Sequence, residues 1–302
     1  MNKRLLIIAV LLIPIAVISF REKETNFSLL QEPNVIVRLK INGEIRELPL
    51  EEYLVGVVAA EMPALFHEEA LKAQSIAART YALSKLDNSK EYDLVATTAD
   101  QAYLTIEQMK EKWAADFALY YEKIKECVAE TKNIVITYNN ELISAYYFSM
   151  SNGYTEDAMS VFNEDKEYLK SVEVIWDNEE LRNYIVEVKM TENDFCSALG
   201  IQCSNLEFNI LSVSSTNRVL EVELNNTKMS GVEFRSKLGL RSTDFTITRL
   251  DGYIYIETRG YGHGVGMSQY GANGMANEGK KYTEILAYYY QNTELVNYNS
   301  IF

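Results

Sequence analysis

The residues best placed to do chemistry lie between Glu61 and Tyr81, in EMPALFHEEALKAQSIAARTY. Glu61 ends an apolar run, YLVGVVAAE, that reads as a short helix entered through Pro49, with Glu51 and Glu52 at the end where the dipole favours them. Pro63 stops that helix and pushes Met62 out of the α region, so Glu61 falls in or near the last turn. There the dipole opposes a carboxylate by roughly 0.3 to 1 kcal/mol, and burial against Ala59, Ala60 and Met62 would oppose its charge further. Both effects raise its pKa. A glutamic acid that stays protonated near neutral pH can protonate the leaving oxygen of a glycosidic bond; the alternative is an ordinary solvated glutamate at a helix end. A second helix is predicted over His67 to Lys85, where Ala70, Ala73 and Ala77 make one side small enough to lie close on a neighbour. Lys72 and Arg79 stand two turns apart on one face, so both can enter a cleft and bind sugar or acidic groups, or simply be solvated cations of an amphipathic helix.

Two further segments carry polar groups at spacings that make a site. GYGHGVGMSQYG packs five glycines around His263, a loop whose backbone must approach something closely or take positive φ. His263, Ser268, Gln269 and Tyr270 would line a polar cleft wall, or else the loop is a rigid turn whose histidine is locked by hydrogen bonds. It is not a phosphate loop, since no G-x-x-x-x-G-K-[ST] is present. YFSMSNGYTE offers Ser149, Ser151 and Tyr154 at a strand end, where sites often form. A serine nucleophile is disfavoured, because there is no G-x-S-x-G elbow and the chain has only two histidines. Glu156 or Asp157 could partner Glu61 in a two-carboxylate hydrolase, a matter of distance that sequence does not give.

These segments need elements to hold them. NVIVRLKI and EIREL alternate about Asn42-Gly43 and predict a hairpin. Residues 105–128 are helical in composition, with Trp113, Phe117 and Tyr120 or Tyr121 near helical spacing. KNIVITY and ELISAYYFSM predict a second hairpin about Asn139-Asn140, and TITRL with YIYIETRG a third about Asp251-Gly252. Helices are expected near 191–199 and over MSGVEFRSKLG up to Gly239. The expectation is an α+β fold: one large domain of helices and β-hairpins over 34–302, with a β-rich lobe at about 165–250.

Composition narrows the function. With 302 residues, 47% of them hydrophobic, the chain can bury a large core. Its 43 acidic against 29 basic residues give a net charge of −14, which excludes sequence-independent nucleic-acid binding. The 21 tyrosines suit stacking on sugar faces, although most tyrosines simply fill half-buried positions. Residues 5–20 form an uncharged apolar stretch behind Asn2-Lys3-Arg4, with no A-x-A site after it and charges from Arg21 to Glu24. A signal peptide and a signal anchor compete here, and the flanking charges favour an anchor over 1–20 with the N-terminus inside, a tether over 21–33, and a domain outside the cytoplasm. Of three cysteines, Cys196 and Cys203 are the two that could pair, and no zinc-type spacing occurs, so no metal and no cofactor is expected.

The Glu-Met-Pro to Ala-Arg-Thr-Tyr segment, FSMSNGYTE and GYGHGVGMSQYGA, in this order behind an anchor, together resemble the stage II sporulation protein D family. The resemblance covers most of 34–302. It implies a membrane-anchored lytic transglycosylase that cuts the β-1,4 bond between N-acetylmuramic acid and N-acetylglucosamine in peptidoglycan, preferring glycan stripped of peptides and leaving 1,6-anhydro ends. Glu61 would then be the sole acid and base, because the sugar's own C6 hydroxyl replaces water and no second carboxylate is needed. Lys72 and Arg79 would shape the cleft or bind substrate, and Gln101, matched with Tyr103 to a glutamine and a tyrosine of the family, would contact sugar. Some relatives carry zinc ligands just ahead of that glutamine; here Ala99 and Asp100 stand at about those positions, against a zinc site. The resemblance also implies a peptidoglycan amidase and a membrane protein as partners during forespore engulfment. A non-catalytic glycan-binding scaffold, acting as an amidase enhancer, is the competing reading.

Overall fold

The computed structural model describes residues 35–204 and 206–300. Strands β1 (Ile36–Ile41) and β2 (Glu44–Pro49) pair antiparallel, with Ile41 opposite Glu44. Asn42 and Gly43 join them at φ 50° and 87°, the left-handed pair that a two-residue hairpin needs. Pro49 caps helix α1 (Leu50–Glu61), whose residues Tyr53 to Ala59 are all buried, so it runs through the core rather than along the surface. Met62, at φ −116° and ψ 144°, leaves the helix before Pro63 as expected. Helix α2 (Glu68–Lys85) starts on His67, whose Nδ1 accepts from Glu69 N at 3.2 Å. Ala70, Ala73 and Ala77 are fully buried, which lets several elements crowd this helix.

Strand β3 (Leu94–Val95) joins β1 in parallel. The single helix predicted over 105–128 is broken: α3 (Ile106–Trp113) opens on a capping box of Thr105 and Gln108, Ala114 turns at φ 46°, and α4 (Phe117–Glu130) follows a short 3-10 turn. The aromatic spacing is kept across the break by contact rather than by helix continuity, with Trp113 edge-on to Tyr120 at 5.8 Å. The second hairpin is also shorter than its pattern. Strands β4 (Ile134–Tyr138) and β5 (Glu141–Leu142) pair about Asn139-Asn140, but the chain then leaves the sheet. Its continuation, β6 (Tyr147–Phe148), belongs to a different ladder described below.

After the short helix α5 (Ala158–Phe162), Tyr168, Leu169 and Val174 still pack in this first core. A second core begins with strand β7 (Ile185–Thr191) and helix α6 (Glu192–Leu199). It continues through β8 (Phe208–Val213), β9 (Val219–Leu224), β10 (Thr227–Ser230), α7 (Gly231–Leu238), β11 (Phe245–Leu250) and β12 (Tyr253–Arg259). Two antiparallel three-stranded sheets, β10-β9-β8 and β11-β12-β7, gather Phe195, Val222, Phe234, Phe245 and Ile256 in its interior. Both helices of this lobe end on left-handed glycines, Gly200 and Gly239. Cys196 and Cys203 form a disulfide with Cα atoms 5.6 Å apart, fastening the end of α6 to the loop that follows. The chain then returns to the first core through β13 (Met267–Ser268), α8 (Gln269–Asn277), α9 (Tyr282–Tyr289) and β14 (Glu294–Asn297), the last pairing with β4.

The architecture is thus mixed α and β, with several small sheets around buried helices. Among the described residues no helix is long and apolar enough to cross a membrane. The expected anchor at 1–20 and tether at 21–33 lie outside the described residues.

Candidate active site

Helix α1 brings Glu61 to its last turn and leaves it in an environment set by Pro63. Proline has no N–H, so the Ala59 carbonyl loses its helical partner four residues on; the Lys112 ammonium, from α3, donates to it instead at 3.0 Å. Lys123, from α4, donates to the Ala64 and Phe66 carbonyls at 3.0 and 2.6 Å, so the loop after Glu61 is pinned as well. Glu61 Oε1 accepts from the Ala102 backbone N–H at 2.8 Å, and Oε2 from Gln269 Nε2 at 3.3 Å. Burial pushes its pKa up, against the opposing pull of these two donors.

The segment carrying Ala102 lies flat on α1 because residue 56 is glycine. Leu104 N donates to the Gly56 carbonyl at 3.1 Å, and a Cβ on Gly56 would sit 2.1 Å from Tyr103 Cε2. Tyr103 stacks beside Tyr53, rings 5.8 Å apart and 7° from parallel. Gln101, 1% exposed, is held at both ends: its Oε1 accepts from Tyr53 Oη at 2.9 Å, and its Nε2 donates to Tyr147 Oη at 2.7 Å and to the Ala78 carbonyl at 3.4 Å.

Gln269 arrives through the ladder that sequence patterning missed. Strand β6 pairs in parallel with β13, Tyr147 opposite Met267 and Phe148 opposite Ser268, and α8 starts immediately after. Gln269, 3% exposed, also donates to Gln74 Oε1 of α2 at 3.5 Å. Ser268 caps α8, accepting from Gly271 N at 3.2 Å, and donates to Asp177 Oδ2. Asp177 Oδ2 accepts from Ser151 N too, at 2.7 Å, so one buried carboxyl ties the FSMS segment to the start of the helix that holds Gln269. Burial raises the Asp177 pKa to about 6.

The structure divides the predicted residues into those brought to Glu61 and those engaged elsewhere. Gln269 touches it, and Gln101 is one residue from the N–H that does. Ser151 and Ser268 are fully buried partners of Asp177. His263 has both ring nitrogens occupied: Val265 N donates to Nδ1 at 3.1 Å, which places the proton on Nε2, and Nε2 donates to the Tyr147 carbonyl at 3.0 Å. Burial and then the Arg235 charge lower its pKa to about 4, so it is a neutral fastening of the β6 backbone. Tyr270 packs edge-on against Phe66 at 5.0 Å, its N–H donating to the Ser149 carbonyl at 3.0 Å. Tyr154 is 45% exposed and reaches Glu173 at 3.4 Å.

The two cations of α2 that spacing suggested for the site, Lys72 and Arg79, are not hydrogen-bonded to Glu61's carboxylate. Arg79, with no exposed surface, makes a two-pronged pair with Glu51 at 2.9 and 2.6 Å and donates to the Ile134 and Val128 carbonyls. Lys72 pairs with Glu130 and with Glu69. Their spacing does put them on one face, but α4 and β4 cover that face. Glu156 is committed to Ser214 and Thr216 of the second lobe, and Asp157 to the cap of α5 and to Lys170, so neither is among the hydrogen-bond partners of Glu61. Asp100 accepts from Tyr81 Oη and Val95 N. The residues that sequence reading missed are Tyr53, Gln74, Tyr147 and Asp177, each of which acts across a long stretch of chain.

Fold and site define an α+β protein that holds one half-buried glutamic acid at a helix C-terminus between a backbone N–H and a glutamine amide. A family model described as stage II sporulation protein matches residues 40–138. Stage II sporulation protein D of Bacillus amyloliquefaciens and that of Bacillus subtilis (strain 168) are each 40% identical over 262 residues, which covers 84% of this chain and 76% of theirs. A B. subtilis protein named amidase enhancer is 29% identical over 300 residues, covering 81% of this chain and 40% of its own. The chain belongs to the stage II sporulation protein D family.

Proposed function

We propose that this protein is a lytic transglycosylase that cleaves the β-1,4 bond between N-acetylmuramic acid and N-acetylglucosamine in peptidoglycan glycan strands. The observation that carries this reading is the state of Glu61: a half-buried carboxyl whose pKa is raised, held by one N–H and one amide, with no second carboxylate bonded to it among the described residues. In the reaction Glu61 gives its proton to the leaving oxygen of N-acetylglucosamine as the bond to C1 breaks. The muramoyl C6 hydroxyl then adds to C1 and its proton goes to Glu61, which restores the acid and leaves a 1,6-anhydro end without consuming water. The Ala102 and Gln269 donors steady the carboxylate between these two transfers.

The substrate is glycan stripped of its peptides, acted on during forespore engulfment by a domain held outside the cytoplasmic membrane by its N-terminal anchor, in the intermembrane space. An amidase that removes those peptides and a membrane protein of the engulfment machinery are the proposed partners, the amidase supported by the relative named amidase enhancer. That name also favours a second reading, a glycan-binding scaffold that stimulates an amidase without cutting. Digestion of denuded strands separates them by mass: 1,6-anhydro ends with wild type and none with Glu61→Gln are expected. Reducing ends carrying solvent oxygen would mean a hydrolase, and bound but uncut strands would mean the scaffold.

A further inference from the structure

The hydrogen bonds behind Tyr147 dictate what its hydroxyl can do. Ala78's carbonyl can only accept, so the Gln101 atom facing it at 3.4 Å is the amide nitrogen, and the orientation of that side chain is fixed. Gln101 Oε1 therefore accepts from Tyr53 Oη, and Gln101 Nε2 donates to Tyr147 Oη at 2.7 Å. The direction runs one way, from Tyr53 through Gln101 to Tyr147. A phenol has one proton, and Gln101 leaves that proton on Tyr147 unused. Burial, and next the charge of Glu61, hold the phenol firmly protonated, so it remains a donor at any physiological pH.

Tyr147 also sits where such a donor matters. Gln101, which grips it, is followed by Ala102, whose N–H bonds Glu61. On the other side β6 pairs with β13, so Tyr147 stands opposite Met267, two residues before the glutamine that bonds the other oxygen of Glu61. His263 fixes the Tyr147 carbonyl at 3.0 Å, which holds the residue from behind. The residue remains partly exposed, and its hydroxyl is not hydrogen-bonded to Glu61.

We propose that Tyr147 is a substrate-contacting residue that donates its one free proton to an oxygen of the sugar whose glycosidic bond Glu61 acts on. Nothing in the motifs assigns this residue. The inference rests on the reading of Glu61 as the acid, but its test does not depend on turnover.

The test uses Tyr147→Phe, which keeps the ring, with Tyr53→Phe as the matched control, since each removes one hydroxyl from Gln101. In a Glu61→Gln background, binding of a denuded glycan strand is measured by calorimetry for each variant, alongside its melting temperature. Tyr147→Phe is expected to weaken binding about 10-fold or more, the size of one lost hydrogen bond to a ligand, and Tyr53→Phe by less than about 3-fold. With Glu61 restored, kcat/KM on the same strands should fall about 10- to 100-fold for Tyr147→Phe, with 1,6-anhydro ends still the product. Equal binding by both tyrosine variants would overturn the proposal. If wild type binds but never cuts, while Tyr147→Phe still binds worse than Tyr53→Phe, the transglycosylase reading falls and the sugar contact stands.

Discussion

At the residue scale, the consequence of Glu61's environment is a pH dependence with a definite sign. A general acid works only while protonated, and burial raises its pKa, so cleavage should persist toward neutral pH and fall as pH rises through that pKa. Gln269→Leu removes a donor that favours the charged form, so the alkaline limb of the kcat/KM profile should move to higher pH; movement to lower pH would contradict this account of the amide. Asp177 makes a separate, stability-based prediction. Its folded pKa of about 6 exceeds the ordinary 3.8, so between those values the folded state holds a proton that the unfolded state has lost. Stability from this group is full below about pH 4 and declines by about 3 kcal/mol as pH rises to about 6. Asp177→Asn can still offer an oxygen to Ser151 N and Ser268 Oγ while abolishing the titration. Denaturant curves of wild type and variant should therefore diverge between pH 4 and pH 6, and parallel curves would refute the assignment. Of these residues only Glu61 and Gln269 were legible beforehand, Glu61 because Pro63 marks its helix end. Asp177 meets Ser268 across 91 residues of chain, and no local pattern encodes such a meeting.

At the scale of elements, local rules worked wherever the deciding chemistry was local. Asn42-Gly43 set the first hairpin, Gly239 the end of α7, and Asp251-Gly252 the turn between β11 and β12. They failed where a neighbour decided. The apolar pattern of 105–128 suits one helix, yet Ala114 adopts a left-handed φ and lets α3 turn so that Lys112 can reach the carbonyl orphaned by Pro63. The run ELISAYYFSM alternates like one strand, yet only two residues stay on β4, because β13 takes Tyr147 and Phe148 from a distant part of the chain. Arg79 shows the same limit, since helical spacing gave its face but not what covers that face. Its guanidinium joins the first turn of α1 to the end of α4 and to β4, with each of these bonds made inside the fold. Arg79→Met should thus cost about 3 kcal/mol of stability by stranding Glu51 and two carbonyls. Thermal or urea unfolding checks it; a variant of unchanged stability that loses only glycan affinity would return Arg79 to the substrate.

At the scale of the whole molecule, the field around the protein opposes its proposed substrate. The net charge is −14, and a glycan strand freed of peptides carries a carboxylate on every muramic acid. The cations that spacing suggested as a counterweight are spent inside the protein, Lys72 on Glu130 and Glu69 and Arg79 on Glu51, so they add little attraction near Glu61. Apart from the Lys112 and Lys123 ammoniums held on backbone carbonyls beside Glu61, recognition then rests on short-range contacts, from hydrogen-bond donors such as the Tyr147 phenol and from stacking on aromatic rings, while the net charge works against approach. Such a balance has an unusual salt dependence. Raising ionic strength from about 20 to about 200 mM shortens the screening length from roughly 20 Å to below 10 Å, which weakens the repulsion and leaves close contacts intact. Binding of denuded strands should consequently strengthen, by about 3-fold or more, while binding of uncharged N-acetylglucosamine oligomers of the same length stays flat. Calorimetric titrations of both ligands across that range decide the matter. If affinity for the anionic strand instead falls with salt, local cations such as Lys112 and Lys123 steer it, and the net charge does not govern its approach.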